Sequence, residues 1–251
     1  MQVGILFLFL IKFCKIGDTH MKDLIRKHVK YRIMDGTAIV RGLNKDIPHV
    51  EILPEVEGVK VETINASAFQ DKNIESVTIP DTITDIGQFA FAGCKCLKEV
   101  HFSKNLESIW NYAFFYCVLL ESISFPDSVL TIGRDAFYFC KALKKVVLPN
   151  NLKRLGENAF SNCFSIEEAI IDSQICNLEA FVFSQCYNLK ALRLPDTIEV
   201  IDKNCFSMDS NIANVRFSQA LVDKPNADEI FRQLFNAGLH TREILLRIPS
   251  M

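Results

Sequence analysis

Phe69, Phe91, Phe114, Phe137, Phe160, Phe183 and Phe206 recur every 22 or 23 residues, and Cys94, Cys117, Cys140, Cys163 and Cys186 each follow one of them by three positions. A fixed period of that length describes units that cannot bury an apolar face alone and must stack on one another. The chain is therefore expected to form a solenoid. Such folds present extended surfaces to partners, so the period points to binding before it points to chemistry.

Aligning successive copies defines the unit. One copy runs Leu120, Ile123, Phe125, Pro126, Val129, Ile132, Gly133, Ala136, Phe137, Cys140; the next runs Leu143, Val146, Leu148, Pro149, Leu152, Leu155, Gly156, Ala159, Phe160, Cys163. In Val100-His101-Phe102 and Ile123-Ser124-Phe125 apolar and polar residues alternate, which predicts strands with one buried face. Pro80, Pro126, Pro149 and Pro195 end those strands, because proline cannot donate the next ladder bond. Gly87, Gly133 and Gly156 share one column, where a side chain would block either a backbone conformation or a close approach. In the Ala-Phe pair, the small residue lets the chain close and the ring fills the interior.

The string Leu-x-x-Val-x-Phe-Pro-x-x-Leu-x-x-Ile-Gly-x-x-Ala-Phe-x-x-Cys resembles the BspA-like leucine-rich repeats, over roughly Val61 to Phe217. The resemblance implies an α/β, β-rich leucine-rich-repeat solenoid, a short curved stack of about seven repeats of 22–23 residues with a parallel sheet on its concave face. It also implies a non-catalytic module for adhesion or protein interaction at the cell surface or in secreted form. The partner would be a protein, with host or matrix proteins as the implied class. Three places depart from the pattern: Trp110 replaces the glycine, Cys205 replaces the alanine, and the copy from Ile171 to Phe183 lacks both proline and glycine.

Solenoids need caps on their last apolar faces. Residues 21–60 read as an N-terminal β cap, because Val29–Ile33 and Thr37–Val40 flank Asp35-Gly36, a type I′ hairpin signal. Residues 61–217 form the repeat block, and 218–251 a C-terminal helical cap, with Asn226 and Glu229 at capping-box spacing before Ile230, Phe231, Leu234 and Phe235. Residues 1–20 read either as an atypical leader or as a non-native segment. Their apolar run, Val3 to Ile11, is well short of the about 20 residues that span a bilayer, so no transmembrane span is expected. The periodic cysteines are expected to be reduced core residues, which favours the cytoplasm as the alternative location.

No catalytic motif is present, and no cofactor or metal site is expected: the 5 histidines are scattered and Cys94-Lys95-Cys96 lacks a second ligand pair. A net charge of −2 supplies no footprint for nucleic acid. A monomer is expected. Two surfaces remain as candidates for a protein partner. One is the sheet face, whose outward row contains His101, Val147, Ile170 and Arg193; the bland alternative is an ordinary solvated face. The other is an aromatic group, Trp110, Tyr112, Phe115, Tyr116, Tyr138 and Phe139, standing in columns that hold small or polar residues in other copies. Trp and Tyr are enriched among interface hot spots, and this reading expects Trp110 to be substantially exposed.

Overall fold

A computed structural model describes residues 21–207, 212–239 and 244. The alternation of apolar and polar residues yields one column of short parallel strands: β4 (His49–Glu51), β7 (Ser76–Thr78), β9 (Glu99–His101), β12 (Lys145–Val147), β14 (Glu168–Ile170), β16 (Ala191–Arg193) and β18 (Asn214–Arg216). A second column, after the proline positions, comprises β6 (Val59–Ile64), β8 (Asp85–Ile86), β10 (Ser108–Ile109), β11 (Thr131–Ile132), β13 (Arg154–Leu155), β15 (Asn177–Leu178) and β17 (Val200–Ile201). Together they wind about eight turns of a leucine-rich-repeat solenoid.

Between the columns runs the phenylalanine spine. Neighbouring rings from Phe69 to Phe137 stack at 5.0, 5.0 and 5.1 Å with nearly parallel planes. This spacing is close to that of hydrogen-bonded strands, so one rise per coil satisfies ladder and ring stack together. The spine amides from Phe69 to Phe183 also donate to the next coil: Phe91 N to Ala113 O at 2.8 Å, Phe114 N to Ala136 O at 2.8 Å. The repeat cysteines close the same corner. Thiols of Cys94, Cys117, Cys140, Cys163 and Cys186 donate to the carbonyls of Phe69, Phe91, Phe114, Phe137 and Phe160. Burial pushes the Cys94 thiol up to about 12 and raises those of Cys117, Cys140 and Cys163, which keeps them protonated donors. Cys94, Cys117, Cys140 and Cys163 are free thiols.

The glycine column is explained by clearance. Gly87, Gly133 and Gly156 do not adopt positive φ. A Cβ at Gly133 would lie 2.6 Å from Asn111 N, and one at Gly156 2.4 Å from Arg134 N, both backbone atoms of the preceding coil. Glu179 and Asp202 hold this column in the last coils. There the spine widens to 5.7 and 6.0 Å, and the second column splits, with β15 pairing only β17.

One predicted strand is absent. Residues 122–125 form no strand, and the first column divides into β4-β7-β9 and β12-β14-β16-β18. Behind it, Phe102 and Phe125 stack at 5.8 Å in a column that elsewhere holds Ile, Leu or, at Phe217, a further phenylalanine. Contacts of 3.4 Å (Glu121 N to Lys98 O) and 3.3 Å (Lys144 N to Glu121 O) bridge the gap.

At the N-terminal end β1 (Lys22–Arg26), β2 (Val29–Met34) and β3 (Thr37–Leu43) form an antiparallel sheet, β3 joins β6 in parallel, and the short β5 (Glu55–Val56) pairs antiparallel with β6. Asp35 and Gly36 both have positive φ, as a type I′ turn requires. At the other end α1 (Gln219–Val222) precedes α2 (Ala227–Asn236). Ile230, Phe231 and Leu234 are buried, Phe231 meets Phe217 edge-on at 5.0 Å, and Gln233 Oε1 accepts from Ile201 N at 2.7 Å in place of a further coil. The expected capping box does not form, because Asn226 makes no side-chain cap bond. Acidic Asp228 and Glu229 in the first turn complement the helix dipole instead. The expectation for residues 1–20 lies outside the described residues.

Candidate interaction surface

The six coils from Ser67 to Gln185 each turn through two left-handed residues, one before the Ala-Phe position and one before the cysteine position. Only glycine, and to a degree Asn and Asp, adopts this conformation without strain. Five of the twelve positions comply, Asp135 and Asn158 at the first site and Asp71, Gly93 and Asn162 at the second. Ser67, Phe181 and Gln185 do not, and neither do the rings of Phe89, Tyr112, Tyr116 and Phe139. A left-handed conformation costs a residue with a Cβ about 1–2 kcal/mol. The local fold therefore does not account for these rings.

They stack on one another. Phe89 faces Tyr112 at 4.7 Å, Tyr116 faces Phe139 at 4.4 Å, and Phe115, between them, faces Tyr138 at 5.2 Å. Phe115 joins the rows through Tyr112 at 5.7 Å and Tyr116 at 4.7 Å. Phe139 then meets Phe164 edge-on at 5.4 Å, and Phe164 stacks on Tyr187 at 5.5 Å. The result is an outer ladder of eight rings running diagonally across five coils. All are half-buried except Tyr187, which is exposed. Lys141 Nζ lies 4.4 Å from the Phe139 centroid, which places a cation on the ladder.

Ionisable groups flank it. Arg134 pairs with Asp135 at 3.0 Å and with Glu157 at 3.7 Å. Burial raises the Asp135 carboxyl above its ordinary range, and hydrogen bonds from Arg134 and Tyr112 pull it partly back. Desolvation likewise raises the Tyr112 and Tyr138 hydroxyls, which remain neutral donors at the ladder surface.

Tyr112, Phe115, Tyr116, Tyr138 and Phe139 thus come together. Trp110 is half-buried, short of the substantial exposure expected of it, because its indole Nε1 donates to Asp85 Oδ1 at 3.2 Å in the preceding coil. Sequence reading missed Phe89, Phe164 and Tyr187. Phe89 stands in the column of Tyr112, and the other two directly follow the repeat cysteine, so the same alignment contained them.

The sheet face places the remaining candidates as the strand register requires. Val147, Ile170, Arg193 and Arg216 align across β12, β14, β16 and β18, and His101 aligns with Thr78. Val147 is 45% exposed, and His101 Nε2 lies 3.2 Å from Glu99. The lost strand at 122–125 separates His101 from the rest of the row. Beside the row, Glu and Lys alternate from coil to coil: Glu75–Lys98 at 2.8 Å, Glu121–Lys144 at 3.6 Å and Glu167–Lys190 at 3.3 Å. Exposed pairs of this kind contribute little stability each, and their local neutrality gives the face no dominant sign.

Among the described residues no helix is long and apolar enough to cross a membrane, and no cluster of metal-ligating groups occurs. No curated protein matches the chain. Two solved structures are similar. A leucine-rich repeat protein from Bacteroides ovatus has 28% identity and a TM-score of 0.72 over 79% of this chain and 54% of its own, so the chain spans about half the length of that relative. A leucine-rich repeat protein from T. pallidum has 24% identity and a TM-score of 0.70 over 88% of this chain and 98% of its own. The model of the BspA-type leucine-rich repeat region matches residues 62–174 and 107–233 in 6 copies; a match over more than half its length, on a solenoid with this spine and cysteine column, means that the chain belongs to the BspA-type leucine-rich repeat family.

Proposed function

We propose that this repeat scaffold is a non-catalytic, monomeric protein-binding module whose partner docks on the outer aromatic ladder. The observation that carries the reading is that Phe89, Tyr112, Tyr116 and Phe139, at left-handed positions that suit Asp, Asn or Gly, stack with Phe115 and Tyr138 into one continuous outer ladder. Stability alone selects against aromatic residues there, and aromatic side chains are prominent among the anchors of protein interfaces. The family resemblance supports adhesion at a cell surface, with host or matrix proteins as the partner class.

The test compares three immobilised proteins against purified matrix proteins: wild type, the ladder variant Tyr116→Asn/Phe139→Asn, and the sheet variant Val147→Lys/Ile170→Lys. A ligand retained by wild type and the sheet variant but lost by the ladder variant supports the proposal. Retention by the ladder variant and loss by the sheet variant moves the site to the sheet face.

A second reading, an intracellular regulator using the same surface, is favoured by the free buried thiols of Cys94, Cys117, Cys140 and Cys163. Fractionation of the native cell, with mass spectrometry of the protein's N-terminal peptide, separates the two.

A further inference from the structure

The repeat copy that departs most from the pattern opens a second, polar site. In two earlier coils an aspartate after the proline position ties the turn to the next coil: Asp81 Oδ1 accepts from Lys104 N at 2.9 Å, and Asp127 Oδ1 from Asn150 N at 3.4 Å. In the departing copy the proline position holds Asp172 and the tie position holds Ser173. No corresponding bond forms, and the Ser173 hydroxyl is the buried side-chain polar atom without a partner among the described residues. The turn stands open as a depression of about 490 Å³ at the edge of the sheet face. That volume lies within the usual range of small-molecule sites.

Its polar groups alternate. Arg193 and Arg216 are adjacent in register on β16 and β18. Asp172 holds Arg193 at 2.8 Å, and Asp196 accepts from the Ser218 hydroxyl. Phe217, half-buried, adds an apolar patch to the wall. Two arginines and two aspartates leave the lining formally neutral, so it selects for no net ligand charge. Guanidinium offers paired donors and carboxylate paired acceptors, and each retains capacity beyond its present bonds. A ligand that both donates and accepts at neighbouring atoms, with one apolar face for Phe217, satisfies all of these groups together. Vicinal hydroxyls on a sugar ring have that chemistry.

We infer that the depression bounded by Asp172, Arg193, Asp196, Arg216 and Phe217 is a binding site for a neutral hexose, separate from the aromatic ladder. Saturation-transfer NMR on the full chain, with glucose, galactose, mannose and N-acetylglucosamine offered singly, tests it. At least one sugar is expected to receive saturation. Its affinity should fall about tenfold in Arg216→Gln, the loss expected of one charge-assisted hydrogen bond. The ladder variant Tyr116→Asn/Phe139→Asn should bind it unchanged, which keeps this test apart from that of the protein partner. Circular dichroism confirms that each variant is folded. Transfer to none of the four sugars, or equal transfer in Arg216→Gln, overturns the site. Displacement of the sugar by inorganic phosphate or acetate at equal concentration also overturns it, in favour of an anion pocket.

Discussion

The molecule contains two ring stacks built on the same rise per coil, and they obey different rules. In the inner spine every ring is buried, every coil contributes the same residue type, and planes are parallel to within 14°. The outer ladder spans only five coils, mixes Phe with Tyr, and includes edge-on contacts. Coil spacing alone can place rings about 5 Å apart in either location. Only the spine is demanded by the period; four of the eight ladder rings, Phe89, Tyr112, Tyr116 and Phe139, occupy positions at which the backbone would be better served by Asn or Gly. The contrast separates rings that hold the fold from rings that the fold merely tolerates.

The most severe test of that division is Phe114→Ala. Its ring is stacked between Phe91 and Phe137 and met edge-on by Phe102. Truncation leaves a cavity on the axis of a fold whose coils contact only their neighbours, and a loss of about 3–5 kcal/mol is expected by urea denaturation. A loss under about 1 kcal/mol, the level of an ordinary surface change, would break the distinction between spine and ladder.

Next in size is Gly133→Ala, which probes why coils keep their rise. The new methyl would meet the backbone of Asn111 and Trp110 at 2.6 and 2.8 Å, so a coil must shift, at an expected cost of about 1–3 kcal/mol. Trp110 holds the same column one coil earlier, yet the Phe91–Phe114 spacing remains 5.0 Å. The measurement, again the denaturation midpoint, shows whether the tolerance seen at Trp110 is general or depends on its tie to Asp85.

Tyr116→Asn/Phe139→Asn is expected to change stability little. Relief of left-handed strain, about 1–2 kcal/mol per residue, offsets lost stacking of about 0.5–1.5 kcal/mol per pair and the buried ring area. Differential scanning calorimetry should place its Tm within a few degrees of wild type, while partner binding falls. A destabilisation as large as that of Phe114→Ala would reassign the ladder to the fold.

The sequence disclosed those features in which residue identity itself recurs: the spine, the thiol column, the proline-ended strands and the hairpin at Asp35-Gly36. It hid what depends on two coils meeting. The strand expected at Ile123 to Phe125 is absent where Phe102 and Phe125 stack across neighbouring coils, a meeting that the alternation alone does not reveal. The glycine column could be located but not explained, since close approach and positive φ make the same demand on sequence. Much of the ladder was visible as excess aromatics, but its reach through Phe164 and Tyr187, and the tie of Trp110 to Asp85, required the coils to be placed side by side.

The smallest predicted effect sharpens the boundary between the two stacks electrostatically. Asp135 holds a left-handed position beside Tyr112, and burial raises its carboxyl above the ordinary 3.8. A raised value means that the folded state binds the proton more tightly than the unfolded chain does. The resulting stabilisation is fully present below the unfolded value and is lost as pH rises through the folded one. At neutral pH the charged carboxylate is therefore a net cost, despite its pairing with Arg134. Asp135→Asn removes that charge and keeps a side chain suited to the left-handed backbone. Its Tm should exceed that of wild type at neutral pH, and the advantage should shrink as pH is lowered through and below 3.8. An advantage constant across pH would assign the gain to the backbone alone. A lower Tm at neutral pH would show that the Arg134 pair outweighs burial, making this edge of the ladder part of what holds the coils together.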